Sequence, residues 1–239
     1  MANYNPLQAG ICETIGTFFL TLFTAINTDI SKSPNLFKQQ LKVNALVTFA
    51  VLMFLMWICH KHSGSQFNPI FTVGMLITGE LAPSILVSNL VGQLSGAVLG
   101  NVAYMFLVVN DNSYYNYNTQ GSFMVLFIEF LMSLVLSLVF FLTSVNKQAD
   151  RAVYGFVVPA FYAALILSIG KVYFTRFNSI IFLINSLFSM NFGSNFIFVL
   201  AGNIGGGLCG AIIYKSIFKS SLDKESMKPL TEDDSDIKF

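Results

Sequence analysis

Charge is scarce in this sequence. Only 10% of its 239 residues are Asp, Glu, Lys or Arg, against 54% hydrophobic residues, where a soluble domain carries about 25% charged. Together with a mean hydropathy of +0.66, this excludes an ordinary water-soluble domain and makes the lipid bilayer the first expected partner. The formal net charge is +1 and no basic stripe exists to neutralise phosphates, which excludes nucleic acid. Histidine is almost missing. His60 and His62 come with no nucleophile and no ligand cluster, which speaks against an enzyme and against a metal or any other cofactor; they read as polar residues at the interfacial end of a span. The three cysteines, Cys12, Cys59 and Cys209, lie in or beside apolar runs without metal-ligand spacing and are expected to pack. MANYNPLQAG has no basic residue ahead of the first apolar stretch, so a cleaved leader is not expected.

Long apolar runs are what the sequence has in abundance. A membrane span needs about 20 mostly apolar residues, and six stretches reach that length, at about 11–30, 41–60, 84–109, 122–145, 152–172 and 195–218. Two more, about 69–80 and 179–190, are roughly half as long, which suits re-entrant half-helices. With Lys238 and Arg176 set aside, seven basic residues fall on the side of the termini against four on the other, so both termini are expected in the cytoplasm. Residues 1–10 then make a short cytoplasmic N-terminus and 11–219 a single transmembrane domain. Residues 220–239, polar and turning acidic, make a disordered cytoplasmic tail.

Each short run begins in a Phe-Asn motif, QFNPIF at 66–71 and RFNSII at 176–181, and aligning the two exposes a repeat. Gln93, Gly96 and Gly100 follow Asn68 by 25, 28 and 32 residues, and Asn203, Gly206 and Gly210 follow Asn178 by the same 25, 28 and 32. A lone acid stands early in each half, Glu13 and Glu129. The halves, about 11–109 and 122–218, hold three spans each, and an odd number forces them into opposite orientation. The expected fold is therefore an all-α membrane protein: six transmembrane helices plus two re-entrant half-helices in an inverted 3+3 repeat. Within it, Asn68 and Asn178 serve as N-caps, with Pro69 and Ser179 at the first helical position. The Gly96/Gly100 and Gly206/Gly210 pairs let helix backbones approach closely. Glu13 and Glu129 are expected to accept hydrogen bonds from the non-helical segments leading into the caps, because lipid offers those segments no partner; an intramembrane carboxylate can also serve as a proton relay.

These residues resemble the aquaporin or major intrinsic protein family over about 13–214. ETIGTFFL resembles its first-span signature, HSGSQFNPIFTVG its first Asn-Pro-Ala loop, GQLSGAV its third span and FIEFLMSLVL its fourth. In the second half the likeness rests on the register of Asn178 and of AGNIGGGLCGAIIY. The resemblance implies a homotetramer with one pore per subunit, in which Asn68 and Asn178 donate hydrogen bonds to solute at mid-pore. It also implies an outer selectivity constriction at Thr48, Ile166, Thr175 and Ile181. The family nearly always has Arg where Ile181 stands and an aromatic where Thr48 stands, and Ile70 and Ile180 replace the alanines of its two motifs. Arg176, on the segment that enters the membrane, is a candidate substitute for the missing charge. The implied function is passive passage of water or small uncharged solutes such as glycerol, urea, ammonia or hydrogen peroxide. Two other readings stay open, a non-conducting scaffold or adhesion protein and an ion-coupled inverted-repeat transporter using Glu13 or Glu129.

Overall fold

The computed structural model describes residues 4–26, 34–107, 122–145, 151–170, 177–190 and 192–220. Eight α-helices follow one another: α1 (Pro6–Ile26), α2 (Pro34–Ser63), α3 (Pro69–Ile77), α4 (Pro83–Leu107), α5 (Ser122–Ser144), α6 (Arg151–Ile169), α7 (Ser179–Phe188) and α8 (Phe196–Ile213). Among the described residues there is no strand. Five of the helices, α1, α2, α4, α5 and α8, are long and apolar enough to cross a bilayer. The sixth span, α6, has 19 residues, roughly 28 Å at 1.5 Å per residue, close to the ~30 Å of a hydrocarbon core. Pro159 lies inside α6; it has no N–H for the Gly155 carbonyl one turn back, which leaves a weak point in that helix. The 110–121 loop and the tail beyond Ser220 lie outside the described residues.

The first helix starts at Pro6, earlier than the sequence suggests. Asn5 caps it, its Oδ1 accepting from the N–H groups of Leu7 at 3.0 Å and Gln8 at 3.3 Å. Asn5-Pro6 is thus the same cap as Asn68-Pro69, and residues 1–10 do not all precede the helix. α2 likewise begins at Pro34 rather than near 41.

The two half-helices are α3 and α7, of 9 and 10 residues. Each starts on an extended asparagine whose side-chain oxygen accepts from the first turn: Asn68 Oδ1 from Ile70 N at 3.3 Å, and Asn178 Oδ1 from Ile181 N at 3.4 Å. α3 stops at Gly79, where φ is +78°, the left-handed turn that closes a helix and that glycine adopts without penalty.

Two helix pairs, α1 with α4 and α5 with α8, pack almost backbone to backbone. A Cβ added at Gly92, Gly96 or Gly100 would fall 2.3, 2.4 or 2.8 Å from the carbonyl oxygens of Gly10, Thr14 and Phe18. At Gly202, Gly206 and Gly210 the distances are 2.6, 2.0 and 2.7 Å, to the carbonyls of Leu126, Phe130 and Leu134. Each stripe therefore has three glycines spaced by four, one more than the sequence analysis used, and each faces three carbonyls one turn apart. Beyond α8 the chain continues as a π-helical turn, Tyr214–Lys219. Tyr214 stacks on Phe141 at 5.6 Å, and Lys219 pairs with Glu80 just past the end of α3.

Adjacent glycines in α8 provide a direct test of this packing. Gly206→Ala must push α5 and α8 apart and is expected to cost about 1–3 kcal/mol, read as a lower melting temperature in detergent. At Gly205 the nearest atom to an added Cβ is 3.5 Å away, on the Phe130 ring, an ordinary contact. Gly205→Ala should therefore hold or raise the melting temperature, by up to about 0.5–1 kcal/mol of helix preference. Equal losses in the two variants would refute the close-packed stripe.

Candidate functional site

The two capping asparagines meet. Asn68 Nδ2 donates to the Phe177 carbonyl at 2.8 Å, and Asn178 Nδ2 donates to the Phe67 carbonyl at 2.7 Å. Each side chain thus closes its own half-helix with its oxygen and ties down the opposite loop with its nitrogen. The N-termini of α3 and α7, each carrying about half a positive charge, are opposed across this contact. Phe67 and Phe177, the residues whose carbonyls are used, have φ of +49° and +45°. Left-handed conformations of this kind cost on the order of 1–3 kcal/mol each and persist only where the surroundings over-determine them.

In the first half the surroundings are visible in full. Glu13 Oε1 accepts from Ser63 Oγ at 2.6 Å and Gln66 N at 2.9 Å, while Oε2 accepts from Phe67 N at 2.6 Å and Gln93 Nε2 at 2.8 Å. All four partners donate. Gln93 also reaches Thr72 Oγ1 at 2.7 Å, and Asn89 Nδ2 holds Gln66 Oε1 at 2.9 Å. The Phe67 ring lies on Gly16, where a Cβ would fall 2.0 Å from its edge. In the second half Asn203 Nδ2, from the position equivalent to Gln93, bonds Ser133 Oγ at 2.8 Å and reaches Glu129 Oε2 only at 3.5 Å. Asn is one methylene shorter than Gln, so the same link stretches.

Beside Ile181, in the first turn of α7, a small cavity of about 10 Å³, room for about one water, is lined by Leu20, Thr24, Asn44, Thr48, Tyr162, Ile166 and Ile181. Thr48, Ile166 and Ile181 are three of the four residues assigned to a constriction from the sequence, and the structure brings them to one wall-to-wall site. The fourth, Thr175, and Arg176 lie outside the described residues. Among the described residues the lining holds no charged side chain. Thr24 Oγ1 is turned back onto the Leu20 carbonyl at 2.6 Å, and Thr48 Oγ1 contacts Asn44 Oδ1 at 3.4 Å. Asn44, Tyr162, Leu20 and Thr24 escaped the sequence analysis. Asn44 precedes Thr48 by one helical turn and Tyr162 precedes Ile166 by one, so i,i+4 spacing on α2 and α6 carried the signal.

The family described as Major intrinsic protein matches residues 1–214. The chain belongs to the major intrinsic protein family. Among relatives, Aquaporin-1 of Laccaria bicolor is 29% identical over 128 residues, covering 50% of this chain and 41% of that one. Aquaporin-8 of Botryotinia fuckeliana (strain B05.10) is 27% identical over 169 residues, covering 64% and 50%. The chain thus spans about half the length, or less, of these curated relatives. A solved structure described as the aquaglyceroporin from Plasmodium falciparum superimposes with a TM-score of 0.76 at 16% identity, covering 92% of this chain and 100% of that one. That likeness establishes the aquaporin fold; family membership and the apolar helices make the chain an integral multi-pass membrane protein.

The family's two motif alanines are isoleucines here, and one of them has a visible accommodation. Ile70 is buried, and a Cβ at Gly207 of α8 would fall 2.6 Å from the Ile70 Cβ. The added volume in α3 occupies the place of the side chain α8 lacks. Ser179, at the first position of α7, is buried as well, and Ile180 packs partly buried against the core.

Glu13→Gln tests the acceptor cluster. A carboxamide offers one oxygen where the carboxylate offers two, so at least one of the N–H groups of Gln66, Phe67 and Gln93 loses its acceptor, at about 1–3 kcal/mol. The expected outcome is a clear drop in melting temperature of the detergent-solubilised protein; an unchanged melting curve would refute the clamp.

Proposed function

We propose that this chain is a channel for the passive passage of water and small uncharged solutes, a class that includes glycerol, urea, ammonia and hydrogen peroxide. It works as a homotetramer with both termini in the cytoplasm and residues 11–219 as the channel domain. The observation that carries this reading is the opposed pair Asn68 and Asn178. A primary amide has two N–H donors, and each asparagine commits one to the opposite loop. The second N–H of each is then available to a solute at the waist, where the dipoles of α3 and α7 disfavour cations.

The cavity beside Ile181 serves as the outer vestibule. Its lining mixes Leu20, Ile166 and Ile181 with Thr24, Asn44, Thr48 and Tyr162, which suits a neutral solute with both carbon and hydroxyl or amide surface. Several kcal/mol of desolvation after relaxation oppose an ion entering so uncharged a tube. An ion-coupled mechanism at Glu13 is disfavoured by its partners. Glu13 is fully buried, and its four hydrogen bonds go to Ser63, Gln66, Phe67 and Gln93 around the segment entering α3, which supports a structural role.

The test is stopped-flow light scattering of proteoliposomes with water, glycerol and urea, with an internal proton dye, on the native chain and on Ile181→Arg. Native flux above empty liposomes is expected. Ile181→Arg fills the vestibule with a long cation and should slow glycerol and urea by about tenfold, a barrier of about 1.4 kcal/mol, with less effect on water. No flux of any solute through folded native protein, with no substitution along the path that opens it, would overturn the channel reading in favour of a scaffold.

A further inference from the structure

On the side of the waist away from the vestibule, the segment between α2 and Asn68 turns through Gly64, Ser65 and Phe67 with φ of +80°, +50° and +49°. Backbone of this kind within a membrane must find its partners in protein or in a water-filled path, because lipid supplies none. Two of its carbonyls are covered by one side chain. The Tyr154 hydroxyl donates a bifurcated bond to Gly64 O at 2.9 Å and Ser65 O at 3.3 Å.

Tyr154 belongs to a buried stripe of α6 that also reaches the vestibule. Tyr154, Val158, Tyr162 and Ile166 are all buried and follow one another at intervals of four; Tyr162 and Ile166 line the cavity. From Ile166 to Tyr154 is twelve residues, roughly 18 Å along the helix, so this stripe, winding by about 120° round α6, runs from the vestibule past the waist to the far side. There the Tyr154 ring meets His60 at 4.9 Å and Phe140 at 5.9 Å, and Phe140 stacks on Phe71 of α3 at 4.1 Å. The Tyr4 hydroxyl lies close to Gly64, 3.1 Å from where a Cβ would stand.

We propose that Tyr154 is the inner constriction of the proposed channel, its hydroxyl occupying the two backbone acceptors, Gly64 O and Ser65 O, that a hydroxylated or amide solute would otherwise engage there. Passage then requires the tyrosine to withdraw. Pro159 supplies the means: the turn holding Tyr154 lies just before it, and the Gly155 carbonyl has no helical donor to resist a local bend. Tyr154 sets both the diameter and the hydrogen-bond competition at this point, so it discriminates among neutral solutes independently of Ile181.

This inference rests on the channel reading, and the experiment separates the two. Water and glycerol permeability are measured in proteoliposomes for the native chain, Tyr154→Phe and Tyr154→Ala, with size-exclusion profiles to establish folded protein. Tyr154→Phe keeps the ring against His60 and Phe140 and frees both carbonyls. It is expected to raise water flux several-fold while glycerol stays slow. Tyr154→Ala removes the ring too and should raise glycerol flux at least as much as water. A silent native chain made conductive by either variant would support the gate and the channel together. A conducting native chain with both variants within twofold of it would overturn the constriction and leave the channel standing. Three silent proteins would overturn both. If Tyr154→Ala does not fold, the water-to-glycerol ratio of Tyr154→Phe decides alone, an unchanged ratio refuting the proposal.

Discussion

Non-helical backbone at mid-membrane depth has to be satisfied by protein, and the rest of this structure is arranged to meet that requirement. The two loops entering α3 and α7 leave carbonyl and N–H groups where lipid can bond neither. The solution is reciprocal. Each capping asparagine satisfies its own helix with Oδ1 and the opposite loop with Nδ2. Neither half can therefore be completed without the other, which is why an inverted repeat is the economical way to build such a waist. Glu13 extends the same logic outward, collecting the N–H groups of Gln66 and Phe67 that the turn leaves behind.

A carboxylate can perform that task only if it is held at a fixed height, and the glycine stripes do this. Glu13 lies on α1 between Gly10 and Thr14, whose carbonyls meet Gly92 and Gly96 of α4. Gln93, which also bonds Glu13, stands between those two glycines. Close approach of the two helices and the hydrogen bond are thus one geometric fact, because a wider separation would carry Gln93 out of reach. In α5 and α8 the stripe is kept, yet the amide is the shorter Asn203, and its distance to Glu129 lengthens to 3.5 Å. Ser133, one turn after Glu129, takes up the donor instead at 2.8 Å. The divergence of the second half is therefore graded: backbone packing is retained where the polar contact has relaxed.

The fold was legible because its strongest signals are local or repeat in register. Apolar length marks spans, Asn-Pro marks a cap, and identical offsets from Asn68 and Asn178 mark the inverted halves. Errors arose where the same signal was present in a weaker setting. Asn5-Pro6 is a cap of the same kind as Asn68-Pro69, but it precedes a stretch that is only half apolar, so the helix start was placed too late. Gly92 and Gly202 continue their stripes one turn earlier than expected. Of the proposed vestibule, the positions fixed by counting from the asparagines, Thr48, Ile166 and Ile181, do converge on one cavity. Thr24 in the vestibule and Tyr154 on the far side of the waist depend on which faces of α1 and α6 turn toward their neighbours. That is settled by helix packing, which no periodicity within a single helix specifies.

The proposed channel, with Ile181 where the family it resembles has arginine, would have to refuse ions by other means. Charge at one site is a modest device, since a cation about 4 Å from an arginine feels about 4 kcal/mol at an effective dielectric of 20. The lining of the vestibule instead imposes dehydration. Leu20, Ile166 and Ile181 offer no partner, the Thr24 hydroxyl is committed to the Leu20 carbonyl, and Thr48 faces Asn44. In the proposed channel a neutral solute would lose few hydrogen bonds there and would recover them at the waist from Asn68 and Asn178. An ion loses a shell worth far more than those donors return, and a cation also meets the positive ends of α3 and α7. Selectivity against charge in the proposed channel therefore follows from what the walls withhold, so the loss of one arginine alters which neutral solutes pass more than it opens the path to ions.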